Sequence, residues 1–372
     1  MRVVWFSWKD RSHPQAGGAE TVSGELMDRL VRDGHEIVHI TAKYQGTTER
    51  STIKGVKIIR VGNRYSVYLQ ARKLFLNELA EWPDYVIDEM NTIPFVSGSY
   101  SKKKNVLLSY QLARKVWFYQ MPLPLSVIGY LIEPMYLRWI SKYYPLVLTE
   151  SESTKKDMQR HGFKKSNINI FRVGTHLLPI QQLEHKEHPS VILSLGALRP
   201  MKRTMHAVKA FEVARESNPT LTLVIAGDTN GAYAKKVLEY IRKSPHSKAI
   251  HVRGRVSDDE RLHLMRSAGM ILVTSVKEGW GLIVTEANTQ GTPAIVYDVD
   301  GLRDSVKHRS TGLICRDGNY AEMGNMINDL VGNNKLYQDL RSNAWSWSKE
   351  FTFENSYNDF SKHMLDASTG SI

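Results

Sequence analysis

The 372-residue sequence has a single cysteine, Cys315, which excludes an internal disulfide. With no Cys/His cluster in the chain, a structural zinc site is not expected either. Long apolar runs are also missing. The longest, Met121 to Ile132, falls well short of the roughly 20 residues that span a bilayer. The opening residues, MRVVWFSW, lack the apolar core of a signal peptide and read as a β-strand. A soluble, cytoplasmic protein is therefore expected. Acidic residues are scarce in one half only. Residues 1–180 carry 26 Lys and Arg against 16 Asp and Glu, whereas residues 181–372 carry 24 against 22. A one-sided excess of this kind points to an acidic partner, anionic lipid or nucleic acid, for the first half. No nucleic-acid-binding module is legible, which leaves lipid as the expectation.

The length exceeds what one core comfortably serves, so two domains are expected, at 1–180 and 190–350. The first half alternates strand-like and helix-like runs, as an α/β doubly wound domain does. Arg2 to Ser7 reads as a strand that empties into the loop Trp8 to Gly18. Ala19 to Asp33 reads as a helix with Val22, Leu26 and Leu30 on one face, and Glu36 to Ala42 as the next strand. Further strands are expected near Val56 to Val61, Tyr85 to Met90, Val106 to Ser109 and Leu146 to Ser151, with an amphipathic helix near Val67 to Ala80. Gly17 and Gly18 fall at the first strand-to-helix turn, the end of a parallel sheet where ligands gather.

Arg64, Arg72, Lys73, Lys102, Lys103, Lys104, Arg114 and Lys115 are interleaved with Tyr65, Tyr68, Trp117, Phe118 and Tyr119. Together with the run Met121 to Ile132 they read as one surface that lies on anionic lipid. The competing reading makes the aromatics core and the lysines a solvated face.

After Gly174 the stretch THLLPIQQLEHKEHPS is polar and aperiodic, and reads as an interdomain linker. The second half opens with a strand at Val191 to Leu195, and Ser257 with Glu260 forms a capping box for a helix. Its centre is Met270 to Gly301. Met270 to Ser275 is a β-branched apolar run, Gly279 and Gly281 make a turn after it, and Leu282 to Gln290 suits a helix ended by Gly291 and Pro293. A helix beginning at a glycine turn offers unpaired amides to an anion such as a diphosphate. Two carboxylates, Glu278 and Glu286, frame this turn, and carboxylates accept hydrogen bonds from the hydroxyls of a ribose or a sugar ring. Asp298 and Asp300 form a D-x-D pair of hard oxygen ligands, an arrangement a divalent cation uses.

The text EGWGLIVTEANTQGTPAIVYDVDGLRDSV resembles, over about thirty positions, the E-x7-E signature of the family 4 retaining glycosyltransferases. The resemblance implies the GT-B fold: two Rossmann-like domains facing each other across a cleft, with a C-terminal helix at about 352–372 packing back on the first. It implies that Glu286 holds the nucleotide ribose, that Glu278 lies by the donor sugar, and that Gly279, Trp280, Gly281 and Leu282 present backbone amides to sugar and phosphate. The loop HPQAGGAE is similar to the family's first loop, so Gly17 and Gly18 are expected to close over the donor. GALRPMKRTMHAVKAF is similar to its second glycine turn, which places Gly196 at the donor and Lys202 on the diphosphate. By the same likeness, backbone groups around Arg255 and Val256 line the base pocket, with uracil preferred over guanine. Members typically meet the diphosphate with cations and helix dipoles, so no metal and no cofactor is expected and the D-x-D pair is set aside.

Two positions depart from the family. Relatives usually have a histidine before Gln-Leu-Ala, near the reacting centre, where LLSYQLARKVWF has Tyr110 and Gln111. A phenol, with its ordinary pKa near 10, is a poor base at neutral pH. Relatives often have arginine where this chain has Ala197, and Arg199 or Arg203 is expected to replace it. The reading is a retaining enzyme moving a sugar from a nucleotide-diphosphate sugar to a hydroxyl of a glycan, glycolipid or cell-envelope precursor, with Glu278, Lys202, Arg199 and Tyr110 at its centre. A soluble small-molecule acceptor, or a degenerate protein that binds nucleotide sugar without turnover, are the alternatives.

Overall fold

The computed structural model describes residues 1–184, 186 and 189–366. His185, Glu187 and His188 of the expected linker, and residues 367–372 of the expected closing helix, lie outside the described residues. The chain divides into two compact units, Met1–Gly174 with Phe353–Ile372, and Thr175–Thr352.

In the first unit β1 (Arg2–Phe6), β2 (Glu36–Ala42), β3 (Arg50–Ile53), β4 (Val56–Val61), β5 (Tyr85–Met90), β6 (Lys104–Ser109), β7 (Leu146–Thr149) and β8 (Ile168–Ile170) form one sheet in the order β3-β4-β2-β1-β5-β6-β7-β8. Every pair is parallel except β3–β4. The central strands are buried nearly end to end, as strands covered on both faces must be. The unexpected β3 is a polar edge strand joined to β4 by Lys54-Gly55, both with positive φ (48° and 84°), the two-residue turn that suits a twisted hairpin.

Helix α1 (Gly18–Arg32) buries Val22, Leu26 and Leu30 as its periodicity requires. Helix α2 (Val67–Leu74) continues as a wider turn over Phe75–Leu79. After β6 come α3 (Trp117–Gln120) and α4 (Leu125–Ile140), and after β7 α5 (Glu152–Arg160), capped by Ser151, which accepts from the Thr154 amide. Between Met121 and Leu137 the one charged residue, Glu133, is buried and accepts from the amides of Ala113 (2.8 Å) and Arg114 (2.6 Å) and from the Trp117 indole (2.9 Å). The outer face of this segment exposes Leu123, Ile128, Leu131, Ile132, Met135 and Trp139, with Leu123 74% and Met135 71% exposed.

The basic residues expected to share one surface with that face are dispersed. Lys104 opens β6 opposite Tyr85, while Arg114 and Lys115 follow its far end, so about 20 Å of strand separates the two groups. Arg64 and Arg72 belong to the β4–α2 region, and Tyr68 and Trp117 are packed inward.

The second unit holds β9 (Val191–Leu195), β10 (Thr222–Ala226), β11 (Ile250–Gly254), β12 (Met270–Val273), β13 (Ala294–Tyr297) and β14 (Gly312–Cys315), all parallel, in the order β11-β10-β9-β12-β13-β14. Around them pack α6 (Thr204–Ser217), α7 (Ala232–Lys243), α8 (Asp258–Ser267), α9 (Leu282–Thr289), α10 (Tyr320–Gly332) and α11 (Asn334–Ser348). The described part of the stretch expected as a free linker belongs to this unit. Ile180 donates to Thr289 O (3.0 Å) and accepts from the Trp345 indole (2.9 Å), and the wholly buried Arg341 reaches Glu184 O (2.7 Å) and Gly291 O (3.0 Å). Polar composition conceals this docking because the contacts are to backbone carbonyls, which no side-chain pattern reveals.

The last helix, α12 (Phe353–Asp366), completes the first unit. Phe360 stacks on the fully buried Trp5 at 5.9 Å, Tyr85 donates to Met364 O, and Arg172 forks onto Asp359 at 2.7 and 2.8 Å. In each sheet the order reverses beside the first strand, at β1–β5 and at β9–β12, where an open α/β sheet binds its ligand at the carboxyl ends.

Candidate active site

At the carboxyl end of β9 the chain turns at Gly196 (φ +140°) and reaches Lys202 through the short turn Pro200–Lys202. Two straps fix that turn to the segment leaving β12. Arg203 donates to the carbonyls of Thr274 (2.8 Å) and Ser275 (2.7 Å) and pairs with Asp317 at 2.6 Å. In return Thr274 Oγ1 donates to Lys202 O (2.8 Å) and the Val276 amide to Met201 O (2.8 Å). The result is that Lys202 Nζ lies 2.6 Å from Glu278 Oε1. Of the two arginines expected to stand in for the one missing at Ala197, Arg203 is thus occupied, while Arg199 is exposed and makes no ion pair among the described residues.

Behind Glu278 the β13 turn closes tightly. The Glu278 amide donates to Asp300 O (3.0 Å), and a Cβ added to Gly301 would lie 2.3 Å from Glu278 O. Asp298 and Asp300 are engaged by cations of the chain itself, Asp298 by Arg303 (2.7 Å) and Asp300 by Arg303 and the buried Lys277 (3.0 Å). Burial alone would raise the Asp300 carboxyl, but the two cations override it and leave it below the ordinary range. Among the described residues no group of three His, Cys, Asp or Glu side chains is placed to hold a metal ion.

Gly281 (φ +97°) caps α9, whose first-turn amides have no intrahelical partner. The Trp280 ring packs on Phe351 at 5.1 Å and its indole donates to Thr285 Oγ1 (2.9 Å), so this residue offers a ligand only its backbone. On the same helix Glu286 receives Arg261 Nη1 of α8 at 3.2 and 3.4 Å. Burial lifts its carboxyl above the usual range against the opposing pull of Arg261, with Asp258 adding to the lift. Sequence reasoning misses Arg261 because its partner is 25 residues away and nothing local marks it. Arg255 is largely exposed and 3.6 Å from Asp228, and Val256 rests against the core.

In the first unit Gly17 caps α1, and its amide donates to Glu20 Oε2 (2.6 Å) while Lys9 Nζ meets Glu20 Oε1 at 2.9 Å in a nearly buried pair. Tyr110, expected near the reacting centre, is buried. Its hydroxyl is 2.6 Å from Ser23 Oγ, which donates to Glu89 Oε2 (2.7 Å), also reached by the Trp5 indole (2.8 Å). Since the Ser23 proton goes to Glu89, the phenol proton goes to Ser23. Burial pushes the Glu89 carboxyl up to about 8. Burial and then Glu89 drive the Tyr110 phenol well above its ordinary value, so it does not accept a proton at neutral pH.

The family model described as "Glycosyltransferase Family 4" matches residues 16–177, and the one described as "Glycosyl transferases group 1" matches 179–347. A D-inositol 3-phosphate glycosyltransferase of Jonesia denitrificans is 31% identical over 175 residues, 45% of this chain and 41% of that protein. The aligned stretch spans about half the length of the curated relatives it matches. Among solved structures, the sucrose-phosphate synthase of Thermosynechococcus elongatus superposes with a TM-score of 0.79 at 18% identity, covering 99% of each chain. Anabaena HepE in complex with UDP and glucose superposes at 0.75 with 14% identity, covering 98% of this chain and 100% of that one. With two parallel α/β units and these matches across both, the chain belongs to the family 4, group 1 glycosyltransferases of the GT-B fold.

Proposed function

We propose that the chain transfers a sugar from a nucleotide-diphosphate sugar, uridine favoured over guanosine, to a hydroxyl of a glycan, glycolipid or other cell-envelope precursor, with retention at the anomeric carbon and without a metal. The observation that carries this reading is the Lys202–Glu278 contact, strapped in place beside the capping turn of α9. A bound diphosphate takes the Lys202 ammonium and the amides of Gly279 to Leu282, and Arg199 adds its unpaired charge. Glu278, released from the lysine, accepts from hydroxyls of the donor sugar, and Glu286, oriented by Arg261, accepts from the ribose. As the anomeric C–O bond to phosphate breaks, the acceptor oxygen bonds on the same face and its proton passes to the leaving phosphate oxygen. No protein base is required, in keeping with the engaged Tyr110. Backbone around Arg255 and Val256 takes the base, and HepE, named as holding UDP, lends weight to uracil.

The test is a thermal-shift and slow-hydrolysis screen of nucleotide sugars on the wild type and on Glu286→Ala. One donor should raise the melting temperature by several degrees and be slowly hydrolysed, and the variant should lose both effects. Because the carboxyl of Glu286 lies above the usual range and the ribose needs its ionised form, donor affinity should fall with decreasing pH sooner than for an ordinary carboxylate. A screen in which no nucleotide stabilises the wild type would leave the fold without this function.

The same reading places the acceptor near a membrane. Among the described residues no helix is long and apolar enough to cross one. The uncharged α4 face, rimmed by the exposed cations Lys115, Arg138 and Lys142, suits the surface of an anionic bilayer. In flotation with phosphatidylglycerol vesicles at low salt, wild-type protein should float, and Leu131→Glu with Met135→Glu should reduce the floating fraction at least about tenfold. Equal flotation of the two, or full activity on a soluble acceptor with no flotation at all, would remove the membrane from the account.

A further inference from the structure

We infer that the acceptor carries an anionic group, a phosphate or a carboxylate, which docks on Arg64 in a cup of aromatic rings at the carboxyl end of the first sheet; this rests on the glycosyl-transfer reading. Three loops build the cup. The β1–α1 loop supplies Trp8 and His13, the residues after β2 supply Tyr44, and the β4–α2 turn supplies Arg64 and Tyr65. The His13 ring lies edge-on to Tyr44 at 4.8 Å and to Trp8 at 5.6 Å, and the Arg64 guanidinium lies over Trp8 at 5.4 Å and Tyr65 at 6.0 Å. Two of the rings also carry cations of the chain, Lys9 over Trp8 at 4.6 Å and Arg60 over Tyr44 at 5.7 Å, so the cup is electropositive as well as aromatic.

Charge accounting singles out Arg64. Of the other cations on the β1–α1 loop, after β2 and at the end of β4, Lys9 is taken by Glu20 (2.9 Å), Arg60 by the buried Asp10 (2.7 Å), Arg11 by Asp28 (2.6 Å), and Lys43 by Glu49. Arg64 is exposed and makes no ion pair among the described residues; its contacts in the cup are to the Trp8 and Tyr65 rings. A guanidinium without an ion-pair partner can fork onto a phosphate or carboxylate with two parallel hydrogen bonds.

The turn that carries it is preorganised. Asn63 Oδ1 accepts from the amides of Tyr65 (2.9 Å) and Ser66 (3.0 Å), and Ser66 Oγ accepts from the Asn63 amide (2.9 Å). Gly62, at φ +59°, is packed so closely that a Cβ would lie 2.7 Å from Ser66 Oγ and 2.9 Å from Val67 N. His13 supplies a second, neutral donor. Its Nδ1 accepts from the Gln15 amide (3.0 Å), so the uncharged ring carries its proton on Nε2, and burial followed by the nearby Lys9 ammonium favours that uncharged form. The cup thus pairs one cation without an ion-pair partner with a neutral donor and an aromatic wall.

The probes are glucose, glucose 6-phosphate and glucuronate, titrated by calorimetry into the full-length protein and into Arg64→Gln and Arg64→Lys. At least one anion should bind the wild type about tenfold or more tighter than glucose. Arg64→Gln should bring it down to the level of glucose, and Arg64→Lys, which keeps charge but not the fork, should fall between. Preference for the phosphate alone marks a phosphomonoester acceptor, for glucuronate alone a uronic acid, and equal preference a general anion cup. Equal binding of all three sugars, no measurable binding of either anion, or a preference that survives Arg64→Gln would overturn the inference. The nucleotide melting shift, read on the same samples, reports on the donor site in the other unit, so loss of the donor reading and loss of the anion cup give different results.

Discussion

Replacing Lys202 by methionine is expected to lower donor turnover by about 100- to 1,000-fold, the range found when a preorganised charge is removed from a developing anion. The side chain is partly exposed and does not hold the core together, so the variant should fold. Two effects add in the same direction. On the proposed reading a bound diphosphate loses a fixed cation, and Glu278, deprived of its partner 2.6 Å away, becomes an uncompensated negative charge beside it. Glu278→Gln in the Lys202→Met background should therefore cost less than it does in the wild type, because the repulsion is gone. Arg199→Ala should cost far less than Lys202→Met, since an exposed guanidinium without a fixed partner is less preorganised. Turnover should persist in the presence of a chelator. A Lys202→Met enzyme within threefold of wild type, or a strict requirement for a divalent cation, would show that the leaving group is stabilised elsewhere.

Gly301→Ala is expected to lower activity by about 100-fold with one methyl group placed outside the ligand site. The residue has φ +79°, where a side chain costs about 1–2 kcal/mol. The larger effect is the clash. The added carbon would sit 2.3 Å from Glu278 O, 2.6 Å from Glu278 C and 2.8 Å from Gly279 C, all backbone atoms with no rotamer to change. Relief must come from moving the strand-to-helix turn itself, and displacement of a catalytic group by about 1 Å costs on the order of 100-fold. Gly34→Ala is the control. It shares the conformation, φ +82°, but has nothing within 4 Å of the added atom, so it should lose about 1 kcal/mol of stability and keep its activity. Equal behaviour of the two variants would mean that backbone strain, not the position of Glu278, decides the outcome.

The features legible in the sequence are those whose physics is local. Strand, glycine turn and helix come from periodicity and breakers within some thirty residues, and so Glu278, Gly281 and Glu286 fall on the right turn and helix. Contacts made across the fold are not legible. Arg203, expected at the donor in place of the arginine missing at Ala197, straps instead to carbonyls 71 and 72 residues away, while Arg261, which meets Glu286 25 residues on, and Lys277, which turns inward to Asp300, read in the chain as surface cations. The single basic surface expected on lipid fails for a related reason. Lys102 to Lys104 and Arg114 are neighbours in sequence, but a strand running between them carries them to opposite ends of the sheet. The apolar run beyond is legible, although its extension to Ile140 is not, because Glu133 and Pro134 interrupt the pattern while the helix continues through them. The motif around Tyr110 marks its place, and only the fold reveals that α1 and β5 have already claimed its proton.

The return of α12 to the first unit makes that unit discontinuous in sequence, with the whole of Thr175–Thr352 inserted between its sheet and one of its helices. Trp5 on β1 stacks on Phe360, and Tyr85 donates to the carbonyl of Met364. Thr175–Thr352 finds all its sheet partners within itself, so its sheet has no need of α12. The first unit does need it: the apolar surface around Trp5 is covered by a segment more than 340 residues away in sequence, and this contact is therefore the one in the unit that closes the longest loop.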